Sequence, residues 1–211
     1  MRIGTLGNGM MAEALASGWV RAGHEVMIGG RSVERAAAVA ERVGAAAGTL
    51  EDAAAYGEVV LLAVPGENAV EVARLVPGGR TLVDCTNALD HRNFTLAQDC
   101  ITEAVSAVTD AVVVKAFNLA ADTVWRNPPR GLGVPLCGDE GVEQVAELVR
   151  DLGCVPVPAG GLVRAKLLEA TAALVIGIWV AGGDVRGMFP PLEAAFGTVP
   201  PGEPQAPGRE Q

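Results

Sequence analysis

The chain is poor in the residues that build metal centres and covalent machinery. Its 211 residues include only two histidines and four cysteines, Cys85, Cys100, Cys137 and Cys154, with no C-x-x-C among them. Zinc-ligand spacing is therefore missing. Cysteines so far apart, three of them in or beside strand-like runs, read as small buried hydrophobes rather than disulfide partners. Lysine is scarce too, two against fourteen arginines, and the net charge is −9. A chain this acidic offers no basic face to nucleic acid or to an anionic membrane surface, which excludes both as main partners. The longest uncharged apolar run, Ala170 to Gly183, has fourteen residues, where roughly eighteen or more would suggest a membrane span. No catalytic triad or paired carboxylates stand out. The opening Met-Arg-Ile-Gly runs straight into a strand, so no signal peptide is expected, and the setting expected is cytoplasmic.

What is present starts at the first residues. Ile3 to Leu6 reads as a short buried strand, Gly7, Gly9 and Ala12 form a G-x-G-x-x-A turn, and Met10 to Arg21 has apolar residues at helical spacing. A lone glycine motif is a common accident in a chain with 27 glycines; strand, turn and helix in that order give it meaning. Gly7 permits the tight turn, Gly9 lets a pyrophosphate approach the backbone, and Ala12 lets helix and strand pack closely. The helix start then offers free N–H groups and a positive dipole end to phosphates.

The second strand, His24 to Ile28, selects the dinucleotide. An NAD site usually places Asp or Glu about twenty residues beyond the glycines, to hold the ribose hydroxyls. Here Gly29, Gly30, Arg31 and Ser32 occupy that place, with Arg35 one turn into the next helix. No carboxylate repels a 2′-phosphate, and a guanidinium can grip one, so NADP(H) is expected over NAD(H). The alternative for Arg31 and Arg35 is an ordinary solvated helix start.

Half of the residues are hydrophobic and 19% are charged, as in a compact globular protein. The pattern alternates strands and helices: a helix over Val33 to Val43, a strand over Ala45 to Ala47, a helix near Leu50 to Ala55, then the apolar strand Glu58 to Val64, which stops at Pro65-Gly66. A helix from Glu67 to Leu75 and a strand from Arg80 to Cys85 follow, the latter ending in Thr86-Asn87-Ala88. A helix near Leu96 to Val108 leads to the strand Ala111 to Asn118. Leu132 to Cys137 and Cys154 to Val157 read as strands around a helix at Glu140 to Leu152, for which Asp139 is a candidate N-cap. Leu162 to Ala181 reads as the longest apolar helix. The fold class expected is α/β, a doubly wound, mostly parallel sheet with a small C-terminal extension of strands and helices. An NADP-binding domain over 1–187 and a Pro/Gly-rich tail over 188–211 are expected. Three strands end in loops on one rim, where ligands collect in open α/β sheets. Thr86 and Asn87 there are turn formers or cofactor contacts, and Phe117 is core or a flat wall for a ring.

The run Val134-Pro-Leu-Cys-Gly-Asp-Glu, the helix after it, and Ala159-Gly-Gly-Leu-Val-Arg-Ala-Lys-Leu-Leu-Glu169 resemble the second half of the F420-dependent NADP oxidoreductases. Val114-Lys-Ala-Phe-Asn118 is similar to the NADPH-binding domain of the six-transmembrane metalloreductases. The resemblance covers about residues 1 to 180 and implies a pocket for a flavin or deazaflavin ring beside NADP. It implies that Gly7, Asn8, Gly9 and Met10, with Met11, line the pyrophosphate, and that Arg31, Ser32 and Arg35 address the 2′-phosphate. It also implies Val64, Pro65, Asn87 and Ala88 near the nicotinamide, and Phe117, Asn118 and Leu119 with Asn87 on the acceptor's side. The chain departs from that pattern at Phe117-Asn118, where the F420 enzymes read His-Thr, and at Pro158-Ala159-Gly160, where relatives read Asp-x-Gly; both departures concern the acceptor. Gly9-Met-Met-Ala-Glu-Ala-Leu-Ala-Ser-Gly18 resembles the opening of the pyrroline-5-carboxylate reductases and other imine-reducing enzymes.

The function expected is hydride transfer between NADPH and a deazaflavin, coenzyme F420, or a flavin, FMN or FAD. Such chemistry asks little of side chains. Reduction of a small imine or carbonyl substrate, or NADPH sensing without catalysis, are the alternatives. Lys115 is a candidate charge near the acceptor, with an exposed or salt-bridged lysine as its plainer reading. The partners expected are a small-molecule or cofactor substrate and a second copy in a homodimer, the latter from the apolar Leu162 to Ala181 helix.

Overall fold

The computed structural model describes residues 1–185 together with Met188. The chain divides into two compact units, Met1–Leu174 and Val175–Gln211. The first begins with β1 (Arg2–Leu6), α1 (Met10–Arg21), β2 (Glu25–Gly29), α2 (Val33–Val43), β3 (Ala46–Gly48), α3 (Leu50–Tyr56), β4 (Val59–Leu62), α4 (Gly66–Ala73) and β5 (Thr81–Asp84). A hairpin of β6 (Leu89–Asp90) and β7 (Thr95–Leu96) follows, then α5 (Ile101–Ser106), β8 (Val112–Lys115), α6 (Asp122–Trp125), β9 (Gly133–Leu136), α7 (Val142–Asp151) and β10 (Val155–Pro158). A 3-10 turn, Leu162–Arg164, leads into α8 (Ala165–Val180), which crosses from the first unit into the second.

Six parallel strands form one sheet in the order β3-β2-β1-β4-β5-β8. The order reverses between β1 and β4, which creates the crevice at which doubly wound sheets bind ligands. Helices cover both faces. In β4, Val59 and Leu61 pack towards α1, α2 and α7, while Val60 and Leu62 pack towards α3, α4 and α5, so the strand is apolar throughout. Register aligns the strand ends: Leu6 pairs with Gly29 and Leu62, Leu62 with Asp84, and Asp84 with Lys115. The loops that leave them therefore share one rim.

The expected doubly wound parallel sheet is what forms, with local differences. Strands β9 and β10 make a separate parallel pair, linked to β8 through an antiparallel bridge between Lys115 and Cys137. The helix expected from Leu96 starts only at Ile101, and a hairpin precedes it. There Asp90 and Asn93 accept from the backbone N–H groups of Arg92 and Thr95, local bonds that compete with a helix. Asp139 is not the N-cap of α7. That position belongs to Gly141, at φ +68°, and Asp139 accepts instead from the N–H of Leu162.

In the second unit Gly182, at φ +82°, closes the end of α8, and the N–H groups of Gly182 and Gly183 return to the carbonyls of Trp179 and Ile178. The expected tail, 188–211, lies outside the described residues apart from Met188. Among the described residues no helix is long and apolar enough to cross a membrane.

Candidate functional site

A groove of about 490 Å³ runs along the rim where β1, β2 and β4 end. Glycine shapes its floor. Gly7 has φ +123°, and a β-carbon on it would stand 2.2 Å from the Ala63 carbonyl oxygen, so the β1 loop can press against the β4 loop only as glycine. Gly9 precedes α1 and differs from Gly7 in what surrounds it: a β-carbon there would meet nothing within 4 Å. The space beyond Gly9 is open to the groove that it lines, at the start of a twelve-residue helix. Unpaired N–H groups and the positive end of the helix dipole favour an anion there, and the cradle fits a pyrophosphate.

Of the residues expected at the 2′-phosphate, Arg31 lines the groove and the other two do not. The Ser32 hydroxyl caps α2, accepting from Arg35 N at 3.3 Å and donating to the Glu34 carboxylate at 2.9 Å. A hydrogen bond from its own backbone, then the Ser32 hydroxyl, holds the Glu34 carboxyl below its ordinary range. Arg35 is exposed on α2. Asn8, Val64 and Pro65 line the groove, joined by Gly30, Leu50, Glu51 and Asn68. Met10 is exposed at the start of α1, and Met11 packs against the core.

Past Pro65 the rim continues into the loops after β5 and β8. A β-carbon on Gly66 would stand 3.0 Å from both Ala88 Cα and the Asn87 carbonyl oxygen, so these loops touch. Asn87 and Asn118 pair through their amides: Asn87 Nδ2 donates to the Asn118 main-chain carbonyl at 2.8 Å, and Asn118 Nδ2 donates to Asn87 Oδ1 at 3.0 Å. Phe117 gives up the role of ring wall. It is 1% exposed and sits edge-on between Trp19 and Trp125, with centroids 5.8 and 5.3 Å away. Leu119 packs with Cys100, Cys137, Ala165 and Leu168.

Beneath these loops lies a charged cluster that the sequence reading did not find. Lys115 is not a charge presented to a ligand; it is fully buried, with Nζ 3.1 Å from Asp84 Oδ2 and 3.1 Å from Glu169 Oε1, both carboxylates being equally buried. Its third donor goes to the Thr86 carbonyl. Burial by itself would lower the Lys115 pKa, but the facing charges of Asp84 and Glu169 and their hydrogen bonds outweigh it and raise the value. The Thr102 hydroxyl lies 2.7 Å from Asp84 and 2.6 Å from Glu169, and Glu169 also receives the N–H groups of Ile101 and Thr102 at the start of α5. Next to it the Cys85 thiol is pushed up to about 12, by burial first and then by Asp84. The available signal was an Asp closing the apolar strand Thr-Leu-Val-Asp84 and a lone Glu169 inside an apolar helix.

Known proteins resemble the chain in sequence and in fold. The family described as NADP oxidoreductase, coenzyme F420-dependent, matches residues 2–88. The rat metalloreductase STEAP3 is 29% identical over 184 residues, which are 84% of this chain and 38% of that protein. The chain thus spans under two fifths of the length of the metalloreductases it matches. Among solved structures, the hypothetical protein SMa0349 from Sinorhizobium meliloti is 32% identical with a TM-score of 0.68, over 78% of this chain and 86% of that one. A protein from Arthrobacter sp. FB24, described as an F420-dependent NADP-reductase, is 25% identical with a TM-score of 0.76, over 86% of this chain and 95% of that one. Sheet order, glycine turn and these relatives agree, and the chain belongs with the NADP-dependent oxidoreductases, its residues 2–88 matching their coenzyme F420-dependent family.

Proposed function

We propose that this chain holds NADP(H) along the groove and orients it for direct hydride exchange with a second flat ring, a deazaflavin such as coenzyme F420 or a flavin. One observation carries the reading: the open space at Gly9 and the guanidinium-bearing Arg31 belong to the same groove. The first suits a pyrophosphate, and the second stands where an NAD site would carry a carboxylate. When bound, NADPH supplies the hydride. The residues of the chain bind it, orient it and limit water, which is what transfer between two rings requires.

Reduction of an imine or carbonyl would need a proton donor by the reacting ring. Where the groove meets the loop after β4 its lining is Ala63, Val64 and Pro65, which carry no proton to give, and Asn87 and Ala88, expected beside the nicotinamide, lie past Gly66 and do not line it. The test mixes purified protein with NADPH and, separately, F420, FMN, FAD and a cyclic imine, and follows the nicotinamide absorbance. Oxidation with F420 or a flavin supports the reading. Oxidation with the imine alone, or with none of these, removes it, the last outcome favouring a sensor. The reading includes a homodimer, supported by the exposed apolar Trp179 and Val180 of the second unit and checked by molar mass in solution.

A further inference from the structure

The three prolines of β9 and β10 all face away from the ladder that joins the two strands. Across that ladder Val155 N donates to the Leu132 carbonyl at 2.9 Å and Ala159 N to the Leu136 carbonyl at 2.8 Å. Backbone groups alternate in direction along a strand, so those of Val155, Val157 and Ala159 face β9, while those of Pro156 and Pro158 face outward. Strand β9 repeats the arrangement. The backbone of Val134 and Leu136 faces β10, whereas Cys137 exchanges both of its backbone hydrogen bonds with Lys115 on the other side, at 2.8 and 3.0 Å. Pro135, next on that side, has no N–H, and the contact with β8 is confined to this bridge.

The outer side of β10 is a sheet edge. Among the described residues its one strand neighbour is β9, and Val155 and Val157 are 49% and 44% exposed. An apolar edge strand recruits further strands unless something blocks it, and charged side chains are a common block. Here none is at hand, because the chain has no charged residue between Asp151 and Arg164. The far edge of the six-stranded sheet, β3, is only three residues long, which limits pairing by itself. At β10 the outward positions offer the carbonyls of Pro156 and Pro158 and no N–H, so an incoming strand finds acceptors without donors.

We infer that Pro156 and Pro158 close this edge to a second copy of the chain, whose own β10 is the strand that matches it. Around a two-fold axis the two β10 strands run antiparallel, with position 156 of one opposite position 158 of the other. That pairing takes an N–H from each position, and proline at both removes every one of them. The exposed valines are thereby kept from joining into a continuous sheet between copies. The inference is independent of the groove and of the proposed homodimer, and it directs any pairing of copies to a surface other than β10.

The experiment restores the donors. Pro156→Thr/Pro158→Thr is compared with the wild-type protein by sedimentation velocity over a concentration series and by hydrogen exchange of the backbone amides. The variant is expected to fold, since the ladder to β9 uses the N–H of neither position. Self-association is expected to strengthen by at least about tenfold over whatever the wild type shows, each regained hydrogen bond contributing roughly twofold to tenfold. In the associated form the amides introduced at 156 and 158 are expected to be protected from exchange. Should the double variant fail to fold, Pro158→Thr, at the last residue of β10, is judged by the same two readouts. A folded variant that keeps the wild-type mass at every concentration overturns the inference. Association in which the introduced amides exchange freely overturns it as well, because the contact then lies elsewhere.

Discussion

A β-carbon on Gly30 would stand 2.7 Å from the side-chain amide nitrogen of Asn8, so the glycine after β2 is what lets the asparagine after β1 lie where it does in the groove. The obstacle is the end of a flexible side chain, which can move. Gly30→Ala is therefore expected to change stability by no more than about 1 kcal/mol while displacing Asn8. NADPH affinity should fall about threefold to tenfold in a fluorescence titration, the equivalent of one lost polar contact. An unchanged dissociation constant would mean that Asn8 contributes nothing to the groove.

Gly9 separates folding from binding more sharply. Nothing lies within 4 Å of a β-carbon placed there, and its φ of −82° suits any residue. Gly9→Val should melt close to the wild type, yet its side chain fills the space that a pyrophosphate would need. Binding of NADPH is expected to drop by at least about a hundredfold. Tight binding by a well-folded Gly9→Val protein would show that the phosphates lie elsewhere.

Arg31 tests the choice of dinucleotide. Arg31→Ala should weaken NADPH by roughly tenfold to a hundredfold, as for loss of charge-assisted hydrogen bonds, and NADH by little. Arg35→Ala should do much less, because Arg35 does not line the groove. Equal losses for NADPH and NADH in the Arg31 variant count against a 2′-phosphate contact.

Removing Lys115 leaves two buried carboxylates facing each other without their cation. Lys115→Met is expected to destabilise the fold by about 3–5 kcal/mol in urea unfolding at pH 8. The sign of the pH effect follows from the raised pKa of the folded state. The folded chain keeps its proton at a pH where the unfolded chain has released it. The Lys115 contribution is thus complete below the unfolded value of about 10.4 and fades as pH rises through the higher folded value. Unfolding at pH 8 and pH 11 should show a steeper alkaline loss for the wild type than for Lys115→Met; parallel losses would place the alkaline sensitivity in other groups.

The first third of the chain was legible because its signals are local. In β1, the Gly7–Gly9 turn and α1, pattern, turn chemistry and helix spacing all sit within twenty-one residues. Arg31 at the end of β2 was legible for the same reason. The charged cluster was not, since Asp84, Thr102, Lys115 and Glu169 meet only after strands and helices far apart in sequence have packed. Phe117 was ambiguous because an aromatic residue at a strand end can face either way, and here two tryptophans from α1 and α6 claim it. The Asp139 assignment failed through a competing acceptor role towards Leu162, 23 residues away.

The packing of Phe117 between Trp19 and Trp125 has a practical side. Both indoles are sealed from water and touch the same ring, so their ultraviolet emission depends on how that ring is seated. An event that reseats it is expected to alter that emission over the background of the exposed Trp179, so the packing of this ring can be followed with no label attached.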